Sequence, residues 1–381
     1  MIPFLALASM MGDGPSSLQL NDVPRLRTQF SNRSQCLVDR IPGATTACVQ
    51  LWVRAGAYRD RYETHGYRHV LEHFQAEGFD GRLDATLEPQ GIFVSASTGR
   101  HAMVFQFRCA PDQVPIAIAA CGLILRPRPL TPEMIAQEAE TIREEMAGRS
   151  STSRFSEFAW STAYGEDGLD PYGKVETISA ATPAKLGDLW TRMTSPEHLA
   201  IVVAGNVEVD STTALVSKVL ADRKGALLPP LPPPARDAVA TPVSVNASGM
   251  YAKVGPYREI QTAAALVAGF GIAHRTVQPF LLYQPTNTPG LVVVGSPTPG
   301  VAWGRLRLEA ETAEAFMIGQ AGAHDWLDRQ LRDPILAATL RGGLLVQSPS
   351  LSPQQLRENL AQVTFAQYRR ALGNFVPLGG N

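Results

Sequence analysis

The sequence has no hydrophobic run long enough to cross a membrane and no regular cysteine spacing. None of its segments approaches the about 18 consecutive apolar residues that a spanning helix needs, so we expect no membrane span. Its four cysteines, Cys36, Cys48, Cys109 and Cys121, form no C-x-x-C pair and fall within apolar segments. We therefore interpret them as buried core residues rather than as metal ligands or a disulfide framework.

An excess of charge of either sign is also missing. The chain has 34 lysines and arginines against 35 aspartates and glutamates, a formal net charge of −1 over 381 residues. A nearly neutral chain has no electrostatic attraction for nucleic acid or an anionic membrane, so we expect neither as a partner. The length and the 45% content of hydrophobic residues are sufficient for two domains with separate cores.

The first residues are apolar but lack the basic segment that opens an export signal. Ala8 and Ser9 are small residues near a potential cleavage point. We interpret residues 1–15 as a weak signal sequence or a disordered start, which leaves a cytoplasmic or an exported location open.

The most informative segment is His69–His73, with the sequence HVLEH. On a helix, His69 and His73 leave the same face one turn apart. Two neutral imidazoles at this spacing can bind one Zn²⁺ at roughly 2.0–2.1 Å each. Glu72 can then accept a proton from the attacking water, as in the inverted zinc motif H-x-x-E-H. The alternative is a surface helix that carries two histidines and an acidic residue.

A catalytic zinc site needs a third protein ligand, and an acidic segment downstream offers candidates. The Thr-Pro pair at 131–132 predicts the start of a helix. Glu138 and Glu145 lie about two turns apart on it and share a face. The alternative is a solvated acidic helix face, which Glu140 and Glu144 fit better.

Together these segments resemble the pitrilysin family, which includes insulin-degrading enzyme and the mitochondrial processing peptidases. In that family a distal helix carries the pattern E-x-x-x-x-x-x-E, in which the second glutamate binds zinc and the first supports the site. The resemblance therefore implies Glu145 as the third ligand, Glu138 as its supporting residue, and one Zn²⁺ per chain. It covers residues 33–222, including a proline-tyrosine-glycine segment at 171–173.

The resemblance implies an α+β fold of two tandem related domains, each an antiparallel-rich sheet covered by helices on one face. We place the zinc-binding catalytic domain at residues 16–225 and a reduced second repeat without the zinc motif at 241–381. The prolines of 226–240 predict a stiff, extended linker between them.

Alternating apolar residues predict individual strands within these domains. We expect strands at 35–41 and 46–54, joined by a hairpin turn, and an apolar strand at 91–97. In the second repeat we expect strands at 242–246 and 302–308 and no closing strand at the end.

The resemblance also suggests residues that contact substrate. Asp84 stands where the family commonly has asparagine, beside an edge strand that pairs with extended peptide through its main chain. The family's opposing half contributes an arginine and a tyrosine, and Arg275 and Tyr283 come nearest to that spacing. A surface arginine and a core tyrosine are the alternative interpretation.

These observations predict a zinc-dependent endopeptidase that cleaves unstructured peptides through metal-activated water, with Glu72 as the general acid–base. The chain has about the length of one half of the family's clamshell. We therefore expect a homologous second subunit, identical or related, as its partner. The rival hypothesis is a non-catalytic partner or scaffold subunit of a related peptidase complex, although such subunits typically lose the metal-binding residues.

Overall fold

The computed structural model of the chain describes residues 25–165, 170–224, 248–285, 290–298, 300–347 and 351–378. The expected start at 1–15, the linker at 226–240 and the predicted strand at 242–246 lie outside the described residues. We refer to residues 25–224 as the first half and to residues 248–378 as the second half. None of the described helices is long and apolar enough to span a membrane.

Both halves combine strands with helices. The elements of the first half are β1 (Arg25–Gln29), β2 (Gln35–Arg40), β3 (Ala47–Val53), α1 (Tyr67–Ala76), α2 (Leu83–Leu87), β4 (Phe93–Thr98), β5 (Met103–Cys109), α3 (Val114–Ile124), α4 (Pro132–Ala147), α5 (Ser151–Tyr164), α6 (Val175–Ser179), α7 (Pro183–Met193), β6 (Leu199–Gly205) and α8 (Val209–Leu220). The elements of the second half are β7 (Ser248–Val254), α9 (Ile260–Ala273), β8 (Phe280–Gln284), β9 (Gly290–Ser296), α10 (Trp303–Glu309), α11 (Ala313–Arg332), α12 (Pro334–Gln347), α13 (Pro353–Gln362), α14 (Phe365–Gly373) and β10 (Val376–Leu378).

The sheet of the first half has the strand order β1-β2-β6-β3-β5-β4. β2 and β3 form where we predicted strands, but the predicted hairpin between them is wrong, because β6 lies between them. It pairs parallel with β2 and antiparallel with β3. The reason is that β6 is apolar throughout and buried at every position, so it takes a central place in the sheet. A sequence pattern typical of a turn does not show which strands pair with each other.

The second sheet repeats the topology of the first. Its order, β10-β7-β9-β8, corresponds to β6-β3-β5-β4, and all its pairs are antiparallel. Two predictions for this half are wrong. Residues 302–308 form helix α10, where Arg305 and Glu309 pair one turn apart at 2.7 Å. A closing strand does exist, namely β10, whose three residues include Pro377 and are too few to show a sequence pattern.

Each sheet is covered on one face by helices of its own half. In the first half, α1, α3 and α8 pack against the strands around a core that includes Val49, Leu51 and Ile201. In the second half, α9 packs against β8 and β9 around Met250 and Val292. This confirms the predicted α+β architecture of two antiparallel-rich sheets covered by helices.

The other face of each sheet is covered by a helix from the opposite half. Helix α12 of the second half packs on β3 and β6 of the first sheet, where the side chain of Gln50 donates to Thr339 at 2.9 Å. Helix α5 of the first half packs on β7 and β9 of the second sheet, where Trp160 donates to Gln284 at 2.6 Å. These helices occupy equivalent places, because each is the third helix after β5 or β9. The two halves therefore exchange corresponding helices.

Strand β4 ends the first sheet in the part of the chain that the structure describes. Its side chains are only partly buried, and Phe93 is 46% exposed. Helix α1 packs against β4, so the predicted zinc helix and the expected edge strand lie side by side.

Candidate metal centre and active site

Two glycines allow the loop at 170–174 to pack closely against the start of helix α1. Gly66 precedes the helix at φ +101°, a left-handed conformation that side chains rarely adopt. A β-carbon on Gly173 would lie 2.1 Å from the α-carbon of Gly66, so only a glycine fits there. The buried carboxylate of Asp60 accepts a hydrogen bond from Gly66 N at 3.2 Å and pairs with Arg68. These contacts fix the start of the helix that carries the motif.

Three side-chain atoms converge between helices α1 and α4. The Nε2 atoms of His69 and His73 lie 3.1 Å apart, and Glu145 Oε2 lies 3.7 Å and 3.6 Å from them. Ligands about 2.0–2.2 Å from a tetrahedral zinc ion would be about 3.3–3.6 Å apart, so these separations fit one ion. Two histidines and a glutamate are also a donor set of catalytic zinc sites.

The opposite nitrogen of each imidazole also has a partner. His73 Nδ1 lies 2.7 Å from Glu138 Oε1, and His69 Nδ1 lies 3.3 Å from the carbonyl oxygen of Tyr172. If Nε2 faces a metal, Nδ1 carries the hydrogen and donates it to these acceptors, which fixes the ring orientation. The resemblance implied that Glu138 supports Glu145, but its carboxylate contacts His73 instead. The contact of Tyr172 was not predicted, because a backbone carbonyl has no residue-type signature.

Glu72 lies beside the three converging atoms, and its carboxylate together with His69 and His73 also forms a group that could hold a metal ion. Its Oε2 atom is 3.8 Å from His69 Nε2 and accepts a hydrogen bond from Thr98 Oγ1 at 3.2 Å. Burial raises the pKa of Glu72 to about 7, although the neighbouring His73 acts to lower it. A carboxyl group with this pKa can both accept and return a proton near neutral pH. Thr98 on β4 was a further contact that sequence reasoning missed.

The charges around the histidines favour a cation. Burial alone would lower the pKa of His73, but its hydrogen bonds with Glu138 and Glu145 raise it to about 10. Burial and the adjacent His73 lower the pKa of His69 to about 3. The hydrogen bond to His73 lowers the pKa of Glu145. The carboxylates beside His73 therefore favour a positive charge at this point, whether it is a proton or a metal ion.

The other acidic residues of α4 face solvent. Glu140 pairs with Arg143 and is 62% exposed, and Glu144 is exposed as well. The side chains of Glu138 and Glu145 are instead 16% and 35% exposed and point toward α1. The helix thus has a solvated acidic face beside the face that meets the histidines.

The three predicted substrate residues lie apart from this cluster. Asp84 is exposed on α2, where its carboxylate accepts from Ala85 N at 2.7 Å. Arg275 follows α9 and pairs with Glu314 at 3.9 Å. Tyr283 on β8 packs between two aromatic rings, and its hydroxyl is buried without a hydrogen-bond partner among the described residues. The contacts of Arg275 and Tyr283 are thus within the second half.

Comparison with known sequences relates the chain to zinc proteases. Residues 36–170 match the family described as Insulinase (Peptidase family M16). An uncharacterized zinc protease from Mycobacterium leprae is 22% identical over 205 residues, which cover 52% of this chain and 46% of the relative. The mitochondrial-processing peptidase subunit beta of Lentinula edodes is 29% identical over 120 residues, which cover 30% of this chain and 26% of the relative. The chain thus spans about half the length, or less, of these curated relatives.

Solved structures with the same fold as this chain include proteases and M16-like peptidases. A protease from Helicobacter pylori superposes with a TM-score of 0.77 at 14% identity, covering 93% of this chain and 96% of that one. An M16-like peptidase from Alicyclobacillus acidocaldarius gives 0.76 at 16% identity, covering 94% and 97%. The periplasmic protease PqqL from Escherichia coli gives 0.68 at 16% identity, covering 92% of this chain but 46% of that protein.

The matched segment contains His69, Glu72, His73, Glu138 and Glu145, so the sequence match and the geometric cluster coincide. The match to peptidase family M16, the insulinase family, thus covers the segment of this chain that carries the cluster.

Proposed function

We propose that this chain is a zinc-dependent endopeptidase that cleaves unstructured peptides. The observation that carries the proposal is the convergence of His69 Nε2, His73 Nε2 and Glu145 Oε2 at 3.1–3.7 Å from one another. These three residues would hold one Zn²⁺ per chain, with Glu138 supporting His73. The names of the zinc protease relatives support this assignment.

Zinc, when bound, would supply Lewis-acid chemistry that polarises a peptide carbonyl and makes water more acidic. Glu72 would take the proton of the attacking water and then deliver it to the leaving amine. The hydrogen bond from Thr98 to Glu72 Oε2 holds this carboxyl in place. Burial keeps its pKa near the pH at which it must both accept and donate.

Strand β4 would hold the substrate. An extended peptide can add to the free edge of a sheet through main-chain hydrogen bonds, with little dependence on its side chains. Folded proteins cannot present such a strand, so unstructured peptides are the expected substrates. Asp84 on α2 lies near this edge, because α2 packs beside β4.

A second, homologous subunit would complete the site. The chain matches 46% of the length of PqqL, and it also superposes on the first half of that protease with a TM-score of 0.66. In an identical or related dimer, Arg275 and Tyr283 could contact peptide bound to the facing subunit. Of the two, the Arg275 side chain is 27% exposed, whereas the Tyr283 hydroxyl is buried, so Arg275 is the more accessible.

In this proposal, residues 16–225 are the catalytic domain, 226–240 the linker and 241–381 the reduced second repeat. The rival function is that of a non-catalytic partner subunit in a related peptidase complex. The reduced second repeat argues for dependence on a partner, whereas the complete set of His69, Glu72, His73 and Glu145 argues for catalysis.

Zinc content tests the proposal and separates the two functions. Purified chain reconstituted with zinc should hold about one Zn²⁺, and His69→Ala or His73→Ala should lose it, because two ligands do not hold catalytic zinc firmly. Elemental analysis that finds equal zinc in all three proteins would contradict the assigned ligands. A wild-type chain that binds no zinc would favour the partner-subunit function.

A further inference from the structure

A buried arginine connects two elements of the candidate metal centre. Arg149 lies between helix α4, whose last turn carries Glu145, and helix α5. Its side chain is 5% exposed, and its Nη1 atom donates to Asp170 Oδ2 at 2.6 Å. The guanidinium also lies over the ring of Tyr172, 3.7 Å from the ring centroid. Arg149 thus reaches from the helix that carries Glu145 to the loop whose carbonyl contacts His69.

That loop is held against the start of α1 by further hydrogen bonds. Tyr172 N donates to Asp170 Oδ1 at 3.0 Å, so the aspartate bonds both Arg149 and the backbone of the loop. Nε2 of His65 lies 2.8 Å from the Asp170 carbonyl oxygen. The result is a fixed position for the Tyr172 carbonyl oxygen, 3.3 Å from His69 Nδ1. The Tyr172 ring also contacts the His69 ring edge-on, with the two ring centroids 4.8 Å apart.

We propose that Arg149, Asp170 and Tyr172 form a positioning unit, the Arg149 clamp, that holds the His69 ring in its metal-binding orientation. This inference rests on the proposed zinc site. The Tyr172 carbonyl fixes the direction of Nδ1–H, and therefore of Nε2, because the two nitrogens belong to one rigid ring. Asp170 holds that carbonyl, and Arg149 holds Asp170. The same arginine is tied by the chain to Glu145, so the first and third ligands share one support.

The chemistry of this position requires arginine. A planar guanidinium can stack on the Tyr172 ring and at the same time donate in its own plane to the Asp170 carboxylate. A shorter or non-planar side chain would keep one contact at most. Contacts outside the ligand shell typically contribute a factor of about 10–100 to metal affinity, and that is the effect assigned to the clamp.

A second buried arginine provides a matched control. Arg341 on α12 donates to Asp39 on β2 at 2.6 Å, with 4% of its side chain exposed. It therefore has the same kind of buried ion pair as Arg149. Neither Arg341 nor Asp39 belongs to α1, α4 or the loop that contacts His69. Loss of Arg341 should cost stability without changing metal affinity.

The test compares Arg149→Met with Arg341→Met in the full chain. Three quantities are measured: the zinc dissociation constant by competition with a chromophoric chelator, the visible absorption of the Co²⁺-substituted protein, and the melting temperature of the metal-free protein. Arg149→Met should weaken zinc binding by about 10–100-fold and alter the Co²⁺ spectrum. Arg341→Met should bind zinc as the wild type does, even where its melting temperature falls as far.

Tyr172→Leu keeps the backbone carbonyl but removes the ring under Arg149, and it serves if Arg149→Met does not fold. It should also weaken zinc binding and change the Co²⁺ spectrum. Wild-type affinity and spectrum in the folded Arg149 or Tyr172 variant would overturn the clamp, as would equal losses in Arg149→Met and Arg341→Met. A wild-type chain that fails to bind zinc would instead overturn the proposed function.

Discussion

Glu72 is buried beside the converging ligand atoms, and a substitution of matched size can separate its proposed role as acid–base from metal binding. Glu72→Gln keeps the size of the side chain and an oxygen that accepts from Thr98, but it removes the proton acceptor. We expect zinc content to stay as in the wild type and peptide hydrolysis to fall by about 10²–10⁴-fold. Hydrolysis rate and zinc stoichiometry measured on one preparation check this. Lost zinc would make Glu72 a ligand, and normal turnover would require another base.

Glu145 and Glu144 provide a second test at the level of single residues. Glu145 Oε2 approaches both histidines, whereas Glu144 is exposed on the other side of α4. Glu145→Gln should weaken zinc binding by more than the ~10–100-fold typical of outer-shell changes, because it removes a ligand charge. Glu144→Gln should have no effect. A metal titration in which Glu144→Gln is the weaker variant would move the third ligand by one residue.

The residues of the cluster differ in how far sequence could predict them. His69, Glu72 and His73 follow from the periodicity of one helix, and Glu138 and Glu145 from that of a second. The structure brings all five together between α1 and α4. Thr98 and Tyr172 could not be predicted, since their contacts depend on how β4 and the loop at 170–174 pack against α1.

At the scale of elements, burial determines which strands pair and which helices cover them, and local sequence patterns do not show this. The strands β2 and β3 follow from their composition, but their separation by β6 follows only from the packing of the whole sheet. Helix α12 is a similar case. Its apolar residues indicate a buried helix, yet nothing in its sequence shows that it covers the sheet of the other half.

Two adjacent glycines of α12 allow a test of this packing. A β-carbon on Gly342 would lie 2.0 Å from the ring of Trp52 on β3, whereas one on Gly343 would meet nothing within 4 Å. Gly342→Ala should therefore lower the free energy of unfolding by about 1–3 kcal/mol through overpacking. Gly343→Ala should be neutral or raise it by up to about 1 kcal/mol, because alanine favours helix.

Urea unfolding of both variants checks the prediction. Equal stability of Gly342→Ala and Gly343→Ala would mean that α12 does not contact Trp52 as described.

For the whole molecule, the proposed function includes a second, homologous half-shell that completes the site. Oxyanion-stabilising donors on a facing subunit would typically be needed for a factor of about 10²–10³ in turnover. The chain as a monomer should therefore hydrolyse unstructured peptide weakly, and specific activity should rise when a second copy or a homologous subunit associates. Sedimentation under assay conditions, run beside the peptide assay, checks this. Full activity from a strict monomer would contradict it.

The exchange of α5 and α12 also bears on whether the two halves can exist apart from each other. If the chain were cut between them, each sheet would still be covered on one face by a helix belonging to the other fragment, so the cut alone would not part them. Conversely, either fragment made by itself would expose a broad apolar sheet face to water, with the risk of aggregation that such a face carries. The predicted boundary at 226–240 would therefore divide two copies of one topology, and we expect the two copies to unfold together.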